Sequence, residues 1–176
     1  MRIGFTGTVS VGKTTLVKEL STLPEFKDYF IATERSKYLR DLGIPLNTDS
    51  TLKGQTIFLA ERASELIHEN LITDRTVIDV MAFTKAAQSI DYYESEKLCE
   101  LAKHFISEYD YIFYVSPDGV EIEDNSVRTT DSKYRETIDF IINMISEQNK
   151  FRMKNFFTIS GTTEERVEKI KEIIFG

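Results

Sequence analysis

Five short apolar runs, at about residues 1–6, 29–33, 70–74, 109–116 and 155–160, alternate with longer stretches whose apolar residues recur every three or four positions. A short continuous apolar run predicts a strand buried on both faces, and the three-to-four spacing predicts an amphipathic helix. Leu16, Val17, Leu20 and Leu23 share one helical face, as do Leu98, Leu101, Ala102 and Phe105 further on. Tyr134, Ile138, Ile141, Ile142 and Ile145 form another stripe. The last helix opens with Thr162 and Glu165 at capping-box spacing, then turns Val167, Ile170, Ile173 and Ile174 inward. Strands alternating with helices imply βαβ units, so the expected class is α/β with a mostly parallel five-stranded sheet. No internal repeat, low-complexity tract or Pro- or Gly-rich linker breaks the pattern, and one domain over residues 1–176 is expected.

The first strand-to-helix turn carries the chemistry. Gly7 to Thr14 read G-T-V-S-V-G-K-T, a match to G-x-x-x-x-G-K-[ST] without a departure. Strand, glycine-rich turn and helix start stand in the order that aims backbone N–H groups and the helix dipole at an anion. A chance glycine-rich turn would not come with both flanking elements. The expected phosphate cradle comprises Gly7, Val9, Ser10, Val11, Gly12, Lys13, Thr14 and Thr15. Lys13 would reach the β- and γ-phosphates and Thr14 would offer its hydroxyl to Mg²⁺, so a nucleoside triphosphate is the expected ligand.

The net charge of −7 argues against a broad nucleic-acid surface, because neutralising phosphates needs clustered Lys and Arg. The modest basic run Lys150, Arg152 and Lys154 reads as a solvated connection, which leaves a nucleic-acid substrate open but disfavoured. Cys99 is the one cysteine, so no internal disulfide forms and a small apolar helix residue is the expected role. No run is long enough for a membrane span, and a cytoplasmic location is expected. His68 and His104 lie within or at the ends of helices and lack the spaced partners of a metal site.

What the triphosphate is used for depends on other residues. No D-x-x-G occurs, and the N-K pair Asn149-Lys150 continues as Phe151-Arg152, which disfavours a GTPase switch. The run Leu71-Ile72-Thr73 ends in Asp74-Arg75, where a mechanical ATPase would usually show an acidic pair. A small-molecule kinase needs a phosphate cradle, a carboxylate for the acceptor hydroxyl and arginines for the migrating group. In parallel sheets these parts collect at the carboxyl ends of the strands. Glu34-Arg35 follows the second strand and Asp74-Arg75 ends the third. Glu34 could equally be a first-turn helix acid, whereas Asp74 at the end of a buried run is the stronger functional candidate. Residues 117–132 form a long polar connection with Arg128, readable as a lid over the nucleotide; Lys133 and Arg135 read as a solvated helix face. Gln55, on a helix expected from about 51 to 69, is either a helix former or a donor and acceptor for a nucleobase edge.

These residues together resemble the small P-loop kinases of the NadR-type, ribosylnicotinamide-kinase-like group, which are related to deoxynucleoside and thymidylate kinases. The resemblance rests on Gly7–Thr15, Thr33-Glu34-Arg35, Asp74-Arg75 with Asp79, and Asp118-Gly119 through Val127-Arg128-Thr129-Thr130-Asp131 to Tyr134-Arg135. It implies the nucleoside-monophosphate-kinase form of the P-loop fold, with strand order 2-3-1-4-5, and MgATP as donor. It implies a nucleoside-like acceptor, with Asp79 among the residues that meet it and Arg128 as a lid arginine. On the chemistry read above, Glu34, Arg35, Gln55 and Asp74 would also meet the acceptor, Lys13, Asp74 or Glu34, Arg75 and Arg128 would carry catalysis, and Thr14 with Asp74 would hold the metal. By the same resemblance Gly161, Thr162 and Thr163 would border the adenine. A kinase of a hydroxymethylated base in DNA and a non-catalytic nucleotide-binding module share the phosphate loop and are the alternatives.

Overall fold

The computed structural model describes residues 1–33, 35–118 and 132–176. Glu34, Arg128 and most of the expected lid therefore lie outside the described residues. The five apolar runs form strands β1 (Arg2–Thr6), β2 (Phe30–Ala32), β3 (Leu71–Thr73), β4 (Tyr111–Val115) and β5 (Phe156–Ile159). They make one parallel sheet in the order β2-β3-β1-β4-β5, as the resemblance implied. Among the described residues seven α-helices connect or flank them: α1 (Lys13–Ser21), α2 (Ser36–Asp41), α3 (Leu52–Glu65), α4 (Val77–Ala86), α5 (Tyr92–Lys103), α6 (Ser132–Gln148) and α7 (Thr163–Phe175).

Both faces of the sheet are covered, which explains why its strands are apolar at consecutive positions. Leu71, Ile112 and Tyr114 point to one core with residues of α3, α4, α5 and α6, while Ile72, Phe113 and Val115 point to the other with residues of α1 and α7. The alternation along β3 and β4 is the two-residue period of a pleated strand. The register places Gly4 beside Thr73 and Thr6 beside Tyr114, so β1, β3 and β4 end on the same side. Every βα connection with candidate chemistry opens there.

Two helical expectations are corrected. Leu101 is 55% exposed, because α5 buries Ser95, Leu98, Cys99 and Ala102, and Cys99 takes the place in the stripe that Leu101 was expected to fill. The helix expected to reach residue 69 ends at Glu65. Beyond it the His68 carbonyl accepts Arg2 Nε at 3.0 Å, and the His68 ring stacks on Phe30 at 3.8 Å, which turns the chain into β3. The basic run after α6 is answered by acids: Lys154 donates to Asp110 at 2.7 Å and Lys150 lies 3.9 Å from Glu147. Among the described residues no helix is long and apolar enough to cross a membrane.

Candidate nucleotide and acceptor site

The loop between β1 and α1 wraps around the position an anion would occupy. Gly7 has φ 152° and a Cβ there would lie 2.7 Å from the Val115 carbonyl oxygen; Gly12, the N-cap of α1, has φ 84°. Both positions need glycine. Ser10, between them, takes the left-handed φ of 58°. The first turn of α1 contains no acid, so its free N–H groups and the helix dipole favour an incoming anion. Lys13 folds back across the loop, its Nζ donating to the carbonyls of Gly7 at 2.5 Å and Thr8 at 2.7 Å. Those contacts hold the ammonium at the mouth of the cradle.

Two later helices clamp the loop from opposite sides. The Thr8 hydroxyl donates to the Arg135 carbonyl of α6 at 2.8 Å, and Arg166 of α7 donates from a terminal guanidinium nitrogen to the Val11 carbonyl at 2.7 Å. Arg166 is buried, and its Nε and second terminal nitrogen have no hydrogen-bond partner among the described residues. Arg135 was expected on a solvated helix face. It is half-buried instead and donates to the Pro117 carbonyl at 3.4 Å.

The sheet order brings the end of β3 against the loop. The Thr14 hydroxyl donates to Asp74 Oδ2 at 2.7 Å. Next to it the Arg75 guanidinium lies 3.8 Å from Asp79 Oδ1 and covers the Phe83 ring at 4.8 Å. Asp79 is fully buried and holds several partners at once. Its Oδ2 accepts the Thr76 N–H at 2.9 Å and the Thr76 hydroxyl at 3.2 Å, closing a capping box on α4, while Oδ1 accepts the Gly7 N–H at 3.4 Å. The residue that the resemblance assigned to the acceptor thus ties α4 to the phosphate loop.

Beside this turn lies a cleft open to solvent. Val9, Phe58, Val80 and Phe83 give it apolar walls, and Gln55 and Arg75 reach into it. Gln55 is only 3% exposed, and its amide makes no hydrogen bond to the described residues. It is not a solvated helix former: it sits on the buried stripe of α3 with Phe58, Leu59 and Arg62. Facing the cleft, its amide is available to a ligand's donor and acceptor groups.

Arg35 is not a lining residue of that cleft. It pairs with Glu61 at 3.3 Å and covers the Tyr38 ring at 4.3 Å. Gly161 has φ 93°, Thr162 caps α7, and Thr163 begins it. The Thr162 hydroxyl accepts the Glu165 N–H at 3.2 Å and its own N–H donates to Glu165 Oε2 at 2.8 Å. The capping box observed there is the one the spacing implied.

Sequence reasoning missed three charged residues behind the site. Arg62, 1% exposed, pairs with Glu65 at 2.5 Å and stands 3.8 Å from Glu61. Glu65 Oε2 accepts the Thr73 hydroxyl at 3.0 Å. Burial pushes the Glu65 carboxyl up to about 7, against the downward pull of Arg62 and of the Thr73 hydroxyl. Arg166 is the third. Its signal was its place four residues before Ile170, on the inward face of α7.

Comparison with known proteins agrees with this fold. A family model described as an AAA domain, AAA_28, matches residues 2–166. No curated protein matches the sequence. Among solved structures, deoxyadenosine kinase from M. mycoides with bound dATP shares 21% identity, with 100% of each chain covered and a TM-score of 0.67. Thymidylate kinase from Ehrlichia chaffeensis shares 20%, covering 98% of this chain and 97% of its own, with a TM-score of 0.63. The NadR protein in complex with NAD and AMP-PNP shares 14%, covering 97% of this chain and 48% of its own, with a TM-score of 0.70. At these identities the likeness is one of fold. With the complete phosphate loop and the strand order already described, the chain belongs to the AAA_28 family of AAA domains and has the fold of the P-loop nucleoside and nucleotide kinases.

Proposed function

We propose that the protein is an ATP- and Mg²⁺-dependent phosphotransferase acting on a hydroxyl of a nucleoside-like small molecule. The observation that carries this reading is the 2.7 Å bond from Thr14 to Asp74, which joins the phosphate loop to the end of β3 beside the Gln55 cleft. Donor-binding and acceptor-binding elements thereby meet at one carboxylate.

The residues divide the work by chemistry. Lys13 and the amides of Gly7 to Thr15 bind the β- and γ-phosphates. The Thr14 hydroxyl and the Asp74 carboxylate are hard oxygen donors that would hold Mg²⁺, and the ion would supply positive charge to offset that of the β- and γ-phosphates. Asp74 or Glu34 orients the acceptor hydroxyl and takes its proton. Arg75 and the lid residue Arg128 stabilise charge on the migrating phosphoryl group. Gly161, Thr162 and Thr163 border the adenine, and Gln55 reads the acceptor base through a donor and an acceptor on one amide.

A DNA acceptor is disfavoured by the net charge of −7. Replacement of Lys13 by Ala tests the reading: transfer from ATP should vanish while the circular-dichroism spectrum is preserved, and an unchanged rate would remove the basis for this assignment.

A further inference from the structure

An alternating row of charges runs along α3 from the entrance of the fold to the end of β3. Arg35 pairs with Glu61 at 3.3 Å, Glu61 stands 3.8 Å from Arg62, and Arg62 pairs with Glu65 at 2.5 Å. Glu65 then receives the Thr73 hydroxyl at 3.0 Å, and the same hydroxyl lies 3.0 Å from the Arg75 carbonyl oxygen. Thr73 thus stands between α3 and the turn that contains Asp74, its one hydroxyl proton within reach of both the Glu65 carboxylate and the Arg75 carbonyl. Thr73 is fully buried and Arg62 nearly so, so the row runs from the exposed Arg35 into the interior.

A fully buried arginine needs carboxylates beside it, and Arg62 has Glu61 at 3.8 Å and pairs with Glu65 at 2.5 Å. The pair leaves Glu65 Oε2 facing β3 rather than the solvent, where only the Thr73 hydroxyl meets it among the described residues. From the opposite side the Asp74 N–H donates to the Ala32 carbonyl of β2 at 3.2 Å. The backbone on both sides of the Asp74 side chain is therefore fixed before any ligand binds. Outer contacts of this kind set the orientation of a ligating or catalytic carboxylate.

We propose that Thr73 and Glu65 are positioning residues: Glu65, locked by Arg62, grips the Thr73 hydroxyl and so holds Asp74 at hydrogen-bonding distance from Thr14. The inference rests on the reading of Thr14 and Asp74 as the metal-binding pair. It adds that the same helix serves both halves of the site, Gln55 reaching into the acceptor cleft near its first turn and Glu65 steadying the carboxylate at its last. Neither Thr73 nor Glu65 needs to touch substrate or metal.

The test is the affinity for a non-hydrolysable ATP analogue, measured by calorimetry with and without Mg²⁺, in the wild type, Thr73→Val and Thr73→Ser. Val has nearly the shape of Thr and leaves the Arg62–Glu65 pair intact, so this variant avoids stranding a buried charge. The Mg²⁺-dependent gain in affinity should fall by about tenfold in Thr73→Val and be retained in Thr73→Ser, which restores the hydroxyl. Affinity without Mg²⁺ should not move. A full gain in the Val variant, or an equal loss in the Ser variant, overturns the proposal. If the wild type itself shows no Mg²⁺-dependent gain, the metal-pair reading is what fails. The crystal structure of Thr73→Val then decides the positioning role: an unaltered 2.7 Å bond from Thr14 to Asp74 rejects it, and a broken one supports it.

Discussion

Thr14 and Asp74 are sixty residues apart in sequence and 2.7 Å apart in space, hydroxyl to carboxylate. The contact exists because β3 is the neighbour of β1 in the sheet, so the residue after β3 emerges beside the loop after β1. Replacing Asp74 by Asn keeps the shape and an acceptor for Thr14 but removes the charge. Turnover should fall by about a hundredfold or more while the affinity for ATP without metal stays within about twofold. If affinity for MgATP falls and turnover of the saturated enzyme does not, Asp74 acts only through the metal.

Gln55 places an amide with no hydrogen-bond partner among the described residues in a cleft walled by Val9, Phe58 and Phe83. Its replacement by Leu should raise the acceptor KM by about ten- to a hundredfold and leave the KM for ATP unchanged, because a recognition site that loses its hydrogen bonds loses roughly 1–3 kcal/mol. Steady-state kinetics with each substrate varied in turn distinguishes this from a folding defect, which would lower kcat alone through loss of active protein.

Arg166 makes one hydrogen bond to the Val11 carbonyl, while its Nε and second terminal nitrogen are buried without a partner among the described residues. Replacement by Met exchanges a charge already disfavoured by burial for an apolar chain of similar length. Thermal unfolding should shift by no more than a few degrees, since the lost bond and the relieved burial offset each other. Nucleotide affinity should fall by about fivefold or more, since Val11 lies within the phosphate loop. A large loss of stability with unchanged nucleotide affinity would make Arg166 a structural clamp only.

Glu65 gives a pH dependence of known sign. Its carboxyl is raised to about 7 in the folded protein from an unfolded value near 4.5, so between those values the native state holds more proton than the unfolded one. Its contribution is complete below about pH 4.5 and is lost as the pH rises through 7. Relative to Glu65→Gln, which does not titrate, wild-type stability should decline by up to roughly 3 kcal/mol across that window. Urea unfolding midpoints of both proteins at several pH values check this, and a difference independent of pH would contradict it.

The readable parts of the chain were those set by local pattern. The five strands and the inward stripes of α1 and α6 follow from side-chain periodicity, and the phosphate loop follows from its own residues. Leu101 was misplaced because α5 has apolar residues at neighbouring positions and periodicity alone does not choose between adjacent stripes. Gln55 and Arg62 stand seven residues apart on the same buried stripe of α3, a polar interruption that hydropathy reads as noise. Whether such a residue lines a cleft or pairs with an acid depends on what β3 and α4 bring opposite it. Arg166 is hidden for the same reason, since its partner Val11 lies at the other end of the chain.

The most direct measurement is transfer of label from γ-labelled ATP, with Mg²⁺, to a panel containing ribosylnicotinamide, the common nucleosides, their monophosphates, and DNA with and without hydroxymethylated bases. The account predicts a labelled monophosphate from one or a few nucleosides, abolished in Lys13→Ala and reduced in Asp74→Asn. Tight ATP binding with no labelled product from any acceptor, or label found only in DNA, would contradict it.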